Sequence, residues 1–259
     1  MIPALPFKRL KYHKPHSVSE RDAHIDGVEI LYEDEALLAV NKPPCLPMHA
    51  NLDLSRDHLV GVLERQLERR DGSCGYLGLH QRLDWGTSGV VVFTRSKAAN
   101  ASLARQFAEH SLTKIYAALV YGNLWPGREV KRVEVPLGAP QRKGGRVQPD
   151  GPGSLPAATV FRILQRCRSG AWIAASLETG RKHQVRAHLF SLGVHIYGDL
   201  LYGGNIRKAA QRPMLHSLQL TLQHPFTGQT LNIAAPVPED MQHLAAQLSL
   251  DREPPFSRL

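Results

Sequence analysis

The stretch SLQLTLQHPFTGQTLNIAAPV, Ser217–Val237, decides the fold class. Leu218, Leu220 and Leu222 alternate with Gln219, Thr221 and Gln223, the period of a strand with one buried and one wet face. HPFTGQ then supplies turn residues and TLNIAAPV returns, which predicts an antiparallel hairpin. Outward from it the same grammar repeats. VEILYEDEALLAVNK, 28–42, reads as a second hairpin around the acidic turn Glu33–Glu35, and GVVVFT after it as a buried strand. KIYAALVYG (114–122), VKRVEVPLG (130–138), AATVFRILQRC (157–167) and AWIAASLETG (171–180) are further strand-like runs. The Gly- and Pro-rich stretch APQRKGGRVQPDGPGSLP, 139–156, reads as a flexible basic loop between them.

Helices are fewer. Leu59, Leu63 and Leu67 recur four apart in HLVGVLERQLERR, one face of a helix. Ser96 is placed to cap KAANASLARQFAEH, where Ala99, Leu103 and Phe107 share a face, and LAAQLSL predicts a closing helix. Strands outnumber helices and short turns join neighbours, so the class is α+β, a mixed and largely antiparallel sheet with flanking helices. A basic arm over 1–27, one domain over 28–250 and a tail over 251–259 are the expected organisation.

Composition narrows the partner. A 259-residue chain with 42% hydrophobic and 21% charged residues can bury a substantial core, which argues against disorder, and no apolar run approaches the roughly 20 residues of a membrane helix. The formal charge of +9 suits a polyanion, because each Lys or Arg placed on a phosphate releases counterions. Three widely spaced cysteines, Cys45, Cys74 and Cys167, fit neither a disulfide framework nor a zinc site and point to a reducing cytoplasm.

Three segments carry candidate chemistry. In LGLHQRLDWGTSGVVVFTRSK, 77–97, Asp84 is the only acid between Gly72 and Ala108, set among Arg82, Arg95 and Lys97, just before a strand. A structural Asp would cap a local turn there; a charged one needs a cation. In LETGRKHQVRAHLFSLGVHIYGD a strand ends at Thr179–Gly180 and a helix is expected to open, with Lys182 and Arg186 on one face beside His183. Such a helix start attracts anions. Tyr116 lies in a strand near Lys114, a position that by itself reads as sheet packing.

Taken together these segments resemble the RluA family of RNA pseudouridine synthases. The family's His-Arg-Leu-Asp-x-x-Thr-Ser-Gly is RLDWGTSG (82–89) here, its Lys-x-Tyr is Lys114–Tyr116, and its Thr-Gly-Arg-x-His-Gln block is TGRKHQVRAH (179–188). LYEDEALLAVNKP, YGDLLYGG and the Ser217–Val237 hairpin extend the resemblance from about Val28 to Asp240. Two positions depart: Gln81 precedes Arg82 with His80 one place earlier, and Cys45 stands in the glycine slot of Lys-Pro-x-Gly, where a positive φ would be lost. The 27 residues before Val28 are too few for the small S4 domain of some relatives.

The resemblance implies that Asp84 is the nucleophile on a flipped-out uridine, that Arg186 pairs with it, and that Tyr116 stacks on the base or removes its C5 proton. Arg82 would fill the gap left by the base. Lys42, Arg181, Lys182 and His183 are expected at RNA or in structural contacts. The reaction oxidises nothing and consumes no water, so no cofactor or metal is expected; a carboxylate, with a reference pKa of about 3.9, is ionised at neutral pH. The RNA would be ribosomal, transfer or both, met by a monomer through its one domain, its arm and the insert 141–153. A glycosidase would need a second carboxylate beside Asp84, and none is near in sequence. The alternative from another class is a non-catalytic RNA-binding or assembly protein of the same fold, which would need the basic surface but not Asp84, Tyr116 and Arg186 together.

Overall fold

The computed structural model describes residues 25–50, 56–140, 145–203 and 210–255. Strands β1 (Glu29–Glu33) and β2 (Leu37–Lys42) form the first hairpin, and Asp34 closes its turn by accepting the Ala36 and Leu37 amides at 2.8 Å. Helix α1 (Leu59–Asp71) follows, capped by His58 Nδ1 on the Gly61 amide and ended by Gly72 at φ 77. After β3 (Gly78–Leu79) and β4 (Ser88–Thr94) comes α2 (Lys97–Ala108), with Ser96 accepting the Ala99 amide as its cap. Strands β5 (Thr113–Gly122), β6 (Val130–Glu134), β7 (Ala158–Arg166) and β8 (Ala171–Leu177) lead to α3 (Gln184–Ser191) and β9 (Val194–Ile196). The chain ends in β10 (Leu215–Gln223), β11 (Thr230–Ala234) and α4 (Glu239–Gln247).

All these strands join one sheet of order β1-β2-β4-β10-β5-β8-β7-β6, with β11 on β10, β3 on β4 and β9 on β5. Every pairing among the described residues is antiparallel except β4 with β10, where His216 and Ser217 run beside Ser88 and Gly89. That junction admits only glycine: a Cβ on Gly89, at φ 110, would lie 2.2 Å from the Ser217 carbonyl oxygen.

Both faces of β4 are covered, which is why GVVVFT carries no polar alternation. Val91 and Phe93 pack with Leu59, Leu63 and Leu67 of α1, while Val90 and Val92 pack with Ala99 and Leu103 of α2. Each of the three α1 leucines is fully buried, contributing roughly 1.5–3 kcal/mol. Helices α3 and α4 cover β5, β7 and β8 in a third cluster around Trp172 and Phe161. Tyr116 touches this cluster and that of α1 alike, so it lies where the two halves of the sheet meet.

Four expectations need correction. Helix α3 starts at Gln184, because the Gln184 side-chain amide turns back onto Thr179, Arg181, Ala158 and Thr159, and His183 takes φ 53. Lys182 and His183 therefore precede the helix, and Lys182 shares no helical face with Arg186. Cys45 keeps the left-handed backbone expected to be lost, at φ 61. The 139–156 loop is packed in part: Val147 is buried and its amide reaches Tyr202. Finally, α4 begins five residues before LAAQLSL, at Glu239. The expected arm lies mostly outside the described residues, as does 141–144 of the insert. Pro254 in the expected tail is buried, and Trp172 Nε1 donates to the Asp251 carbonyl at 2.8 Å. No helix among the described residues is long and apolar enough to cross a membrane.

Candidate active site

The solitary acid of the sequence stands on a tight turn that enters β4. Leu83 anchors it in the α1 core, and the Thr87 amide closes it on the Asp84 carbonyl at 3.0 Å. Trp85 and Gly86 occupy the two central positions. Lys42 Nζ reaches the Trp85 carbonyl at 3.4 Å, and Arg212 Nη1 reaches that of Gly86 at 3.1 Å. A Cβ on Gly86 would meet Pro213 at 2.7 Å. The backbone under Asp84 is thus fixed from both sides, while its carboxylate stays 26% exposed.

Arg186, from α3, supplies the cation. Its Nη1 donates to Asp84 Oδ2 at 2.8 Å, and its Nε and Nη2 make a fork to Asp199 Oδ2 and Oδ1 at 2.6 and 2.8 Å. Asp199 is itself fully buried and accepts the Leu201 and Tyr202 amides at 3.1 Å. The Arg186 guanidinium carbon lies 5.0 Å from the Tyr202 ring centre. Burial works against the charge of Arg186, but the hydrogen bonds and charges of Asp199 and Asp84 outweigh it and raise its pKa. Breaking such a buried pair costs about 3–5 kcal/mol, so Asp199 holds Arg186 whatever Asp84 does.

An imidazole faces the other carboxylate oxygen. His183 Nε2 lies 3.7 Å from Asp84 Oδ1, and His183 Nδ1 is 3.2 Å from the Tyr202 hydroxyl. That hydroxyl also takes the Val147 amide at 2.6 Å. A backbone amide can only donate, so the hydroxyl accepts from Val147 and shares its remaining hydrogen-bonding capacity with His183 Nδ1, which orients the imidazole with Nε2 toward Asp84. Burial lowers the His183 pKa; Asp84 opposes this, Arg186 and Lys182 add to it, and Asp199 opposes it. Oδ2 is held by a short charged bond and Oδ1 by a longer approach, so Oδ1 is the freer oxygen.

Tyr116 pairs with Ser217 across β5 and β10 and is half-buried. Burial pushes its phenol up to about 12; a hydrogen bond with Ser217 opposes this, and the Asp84 charge adds to it. The structure thus brings Asp84, Arg186, Tyr116 and His183 together. Arg82 is exposed, and no described residue engages its guanidinium. Lys182 is exposed too, while Arg181 Nε donates to the Pro156 carbonyl at 3.0 Å.

Lys42, expected at RNA or in structural contacts, makes the latter: it is fully buried, its Nζ on the Pro43, Leu46 and Trp85 carbonyls, and burial pushes its pKa down to about 7. It braces the turn and cannot touch a phosphate. His80 and Gln81, where the motif departs, bond Asn100 and the Val90 carbonyl at 3.2 and 3.3 Å. Sequence reasoning assigned no role to Asp199 or Tyr202. The signal was present for the first: Asp199 is the only acid between Glu178 and Glu239, as solitary as Asp84.

The family model described as RNA pseudouridylate synthase matches residues 36–191, a span containing Asp84, Tyr116 and Arg186. Ribosomal large subunit pseudouridine synthase D of Zymomonas mobilis is 32% identical over 95% of this chain and 78% of its own length. The protein of the same name from Pseudomonas aeruginosa is 31% identical over 87% of this chain and 73% of its own. Among solved structures, human RNA pseudouridylate synthase domain containing 4 superposes with a TM-score of 0.71 at 26% identity, covering 86% of this chain and 94% of the human one. The fold, the motifs and these relatives agree, and the chain belongs to the RluA-type RNA pseudouridine synthases, isomerases that convert uridine in RNA to pseudouridine.

Proposed function

We propose that Asp84 is the nucleophile of this isomerisation and that its substrate is a uridine of large-subunit ribosomal RNA, with transfer RNA as the other class. The observation that carries the reading is the partly exposed Asp84 carboxylate, 2.8 Å from a buried guanidinium and beside Tyr116. The ribosomal choice rests on what the Zymomonas and Pseudomonas relatives are named for.

The uridine must leave its stack to reach such a site, because the sugar carbon is shielded within a helix. Arg82, exposed and unengaged among the described residues, fills the space it vacates. Asp84 Oδ1 then acts on the ribose, by attack at C1′ or by taking a sugar proton, and the C1′–N1 bond breaks. The freed uracil turns and C5 bonds to C1′ as the carboxylate leaves the sugar or returns its proton to it; C5 loses a proton and N1 gains one, so atoms balance with no net consumption of water and no external electron acceptor. Arg186 stabilises the carboxylate as its charge changes. A phenol pushed up to about 12 stays protonated near neutrality, which supports Tyr116 as the stacking surface rather than a phenolate base. Lys182 and Arg181 contact the backbone phosphates, and the protein works as a cytoplasmic monomer.

Asp84→Asn removes the nucleophile and adds no negative charge. It is expected to abolish pseudouridine formation while keeping most RNA affinity, measured by pseudouridine mapping of total RNA and by RNA titration of the variant. Full activity in that variant would refute the assignment. Mapping pseudouridines in cells with and without the protein identifies the RNA; a lost site confined to transfer RNA would overturn the ribosomal choice.

A further inference from the structure

Trp85 follows Asp84 directly and is 54% exposed, one of five large apolar side chains left exposed among the described residues. Its indole has no aromatic, cationic or hydrogen-bond partner among them. Turn positions of this kind favour Pro, Asn, Asp, Ser or Gly, and a tryptophan there has no local reason to exist. Nor can the turn carry it inward, since the carbonyls of Trp85 and Gly86 are held by Lys42 and Arg212 and Pro213 closes on Gly86. The result is a large, flat, water-exposed π surface on a preorganised backbone, one residue from the proposed nucleophile.

We propose that Trp85 is a base-stacking residue for RNA, taking the nucleobase next to the target uridine and thereby biasing the enzyme toward particular neighbours. This rests on the assignment of Asp84 to the reaction. Extruding a uridine leaves its neighbour without a stacking partner, and an indole replaces that partner without requiring any hydrogen-bond pattern. A purine neighbour offers the larger face, so purine-flanked uridines gain most. The surrounding charge supplies affinity for any RNA; the indole supplies discrimination.

The test compares the full-length wild type with Trp85→Ala and Trp85→Phe on total RNA from cells lacking the protein. The alanine variant is expected to need about 10-fold more RNA for half-maximal pseudouridine formation, with a saturating rate within about twofold of wild type, and phenylalanine should restore most of the difference. Sites flanked by purines should be lost first at limiting RNA. Trp125 is half-buried and Trp172 fully buried, so all three indoles emit but quenching by a base stacked on the surface acts chiefly on residue 85. Quenching by a short single-stranded, uridine-containing RNA should appear in the wild type and in Asp84→Asn and largely vanish in Trp85→Phe. Unchanged half-saturation in the alanine variant, or undiminished quenching in the phenylalanine variant, overturns the proposal. An active Asp84→Asn enzyme overturns the nucleophile assignment instead, and the quenching comparison then decides the stacking role by itself.

Discussion

Lys42 shows how a side chain's neighbours, rather than its type, set its role. An ammonium fully buried on three carbonyls and pushed down to about 7 lies far below an unfolded lysine at about 10.4. Between about pH 7 and about pH 10.4 the unfolded chain binds a proton that the folded chain lacks, so this residue makes stability rise with pH through that window. Below it the cost of burying the charge is felt in full. Lys42→Met has no such titration. Its stability relative to wild type is expected to fall as the solution is taken from about pH 7 to about pH 10, by on the order of 1.4 kcal/mol for each pH step of about one. Parallel urea-denaturation profiles for the two proteins across that range would contradict this.

At the scale of elements, the segments that place the site are mostly turns and loops whose backbone conformation is unusual. Cys45 sits at φ 61 just beyond Lys42 and Pro43, although a side chain in the left-handed region costs about 1–2 kcal/mol. Cys45→Gly is therefore expected to stabilise the protein by about 0.5–1 kcal/mol after the greater unfolded-state freedom of glycine is subtracted. A shift of the thermal midpoint upward checks it; a downward shift would mean that the thiol's own contacts outweigh the strain. His183 at φ 53 is the other case. There the conformation ends one segment and starts α3, turning the imidazole toward both Tyr202 and Asp84. The helix expected to open after Thr179–Gly180 exists but starts later, because its start is set by the side chain of Gln184 bonding residues far along the chain.

At the scale of the molecule, the site depends on one parallel contact in a sheet whose other pairings among the described residues are antiparallel. At Gly89 strand β4 meets β10 on one side and β2 on the other, joining the half that carries Asp84 to the half that carries Arg186 and Tyr116. Gly89→Ala would drive a methyl group into the Ser217 backbone at a positive φ, and is expected to cost at least ~3 kcal/mol. Circular dichroism during urea unfolding reads it out as an earlier midpoint, with loss of activity following loss of structure; a midpoint equal to wild type would show that the junction is not where the halves are held.

By itself the chain determined what local chemistry can dictate. Alternation of leucines marked β10, the spacing of Leu59, Leu63 and Leu67 marked α1, Ser96 marked a helix start, and a lone acid amid bases marked Asp84. Short strands such as β3 and β9 escaped, since two or three residues carry no period and exist only because a longer neighbour offers hydrogen bonds. Tertiary structure alone decided that Arg186 is also forked by Asp199, that Tyr202 orients His183, and that Lys42 goes inside rather than to the surface. The reason is physical: charge pairing and burial are properties of distances between residues remote in sequence, and those distances are set only when the sheet closes around the parallel seam.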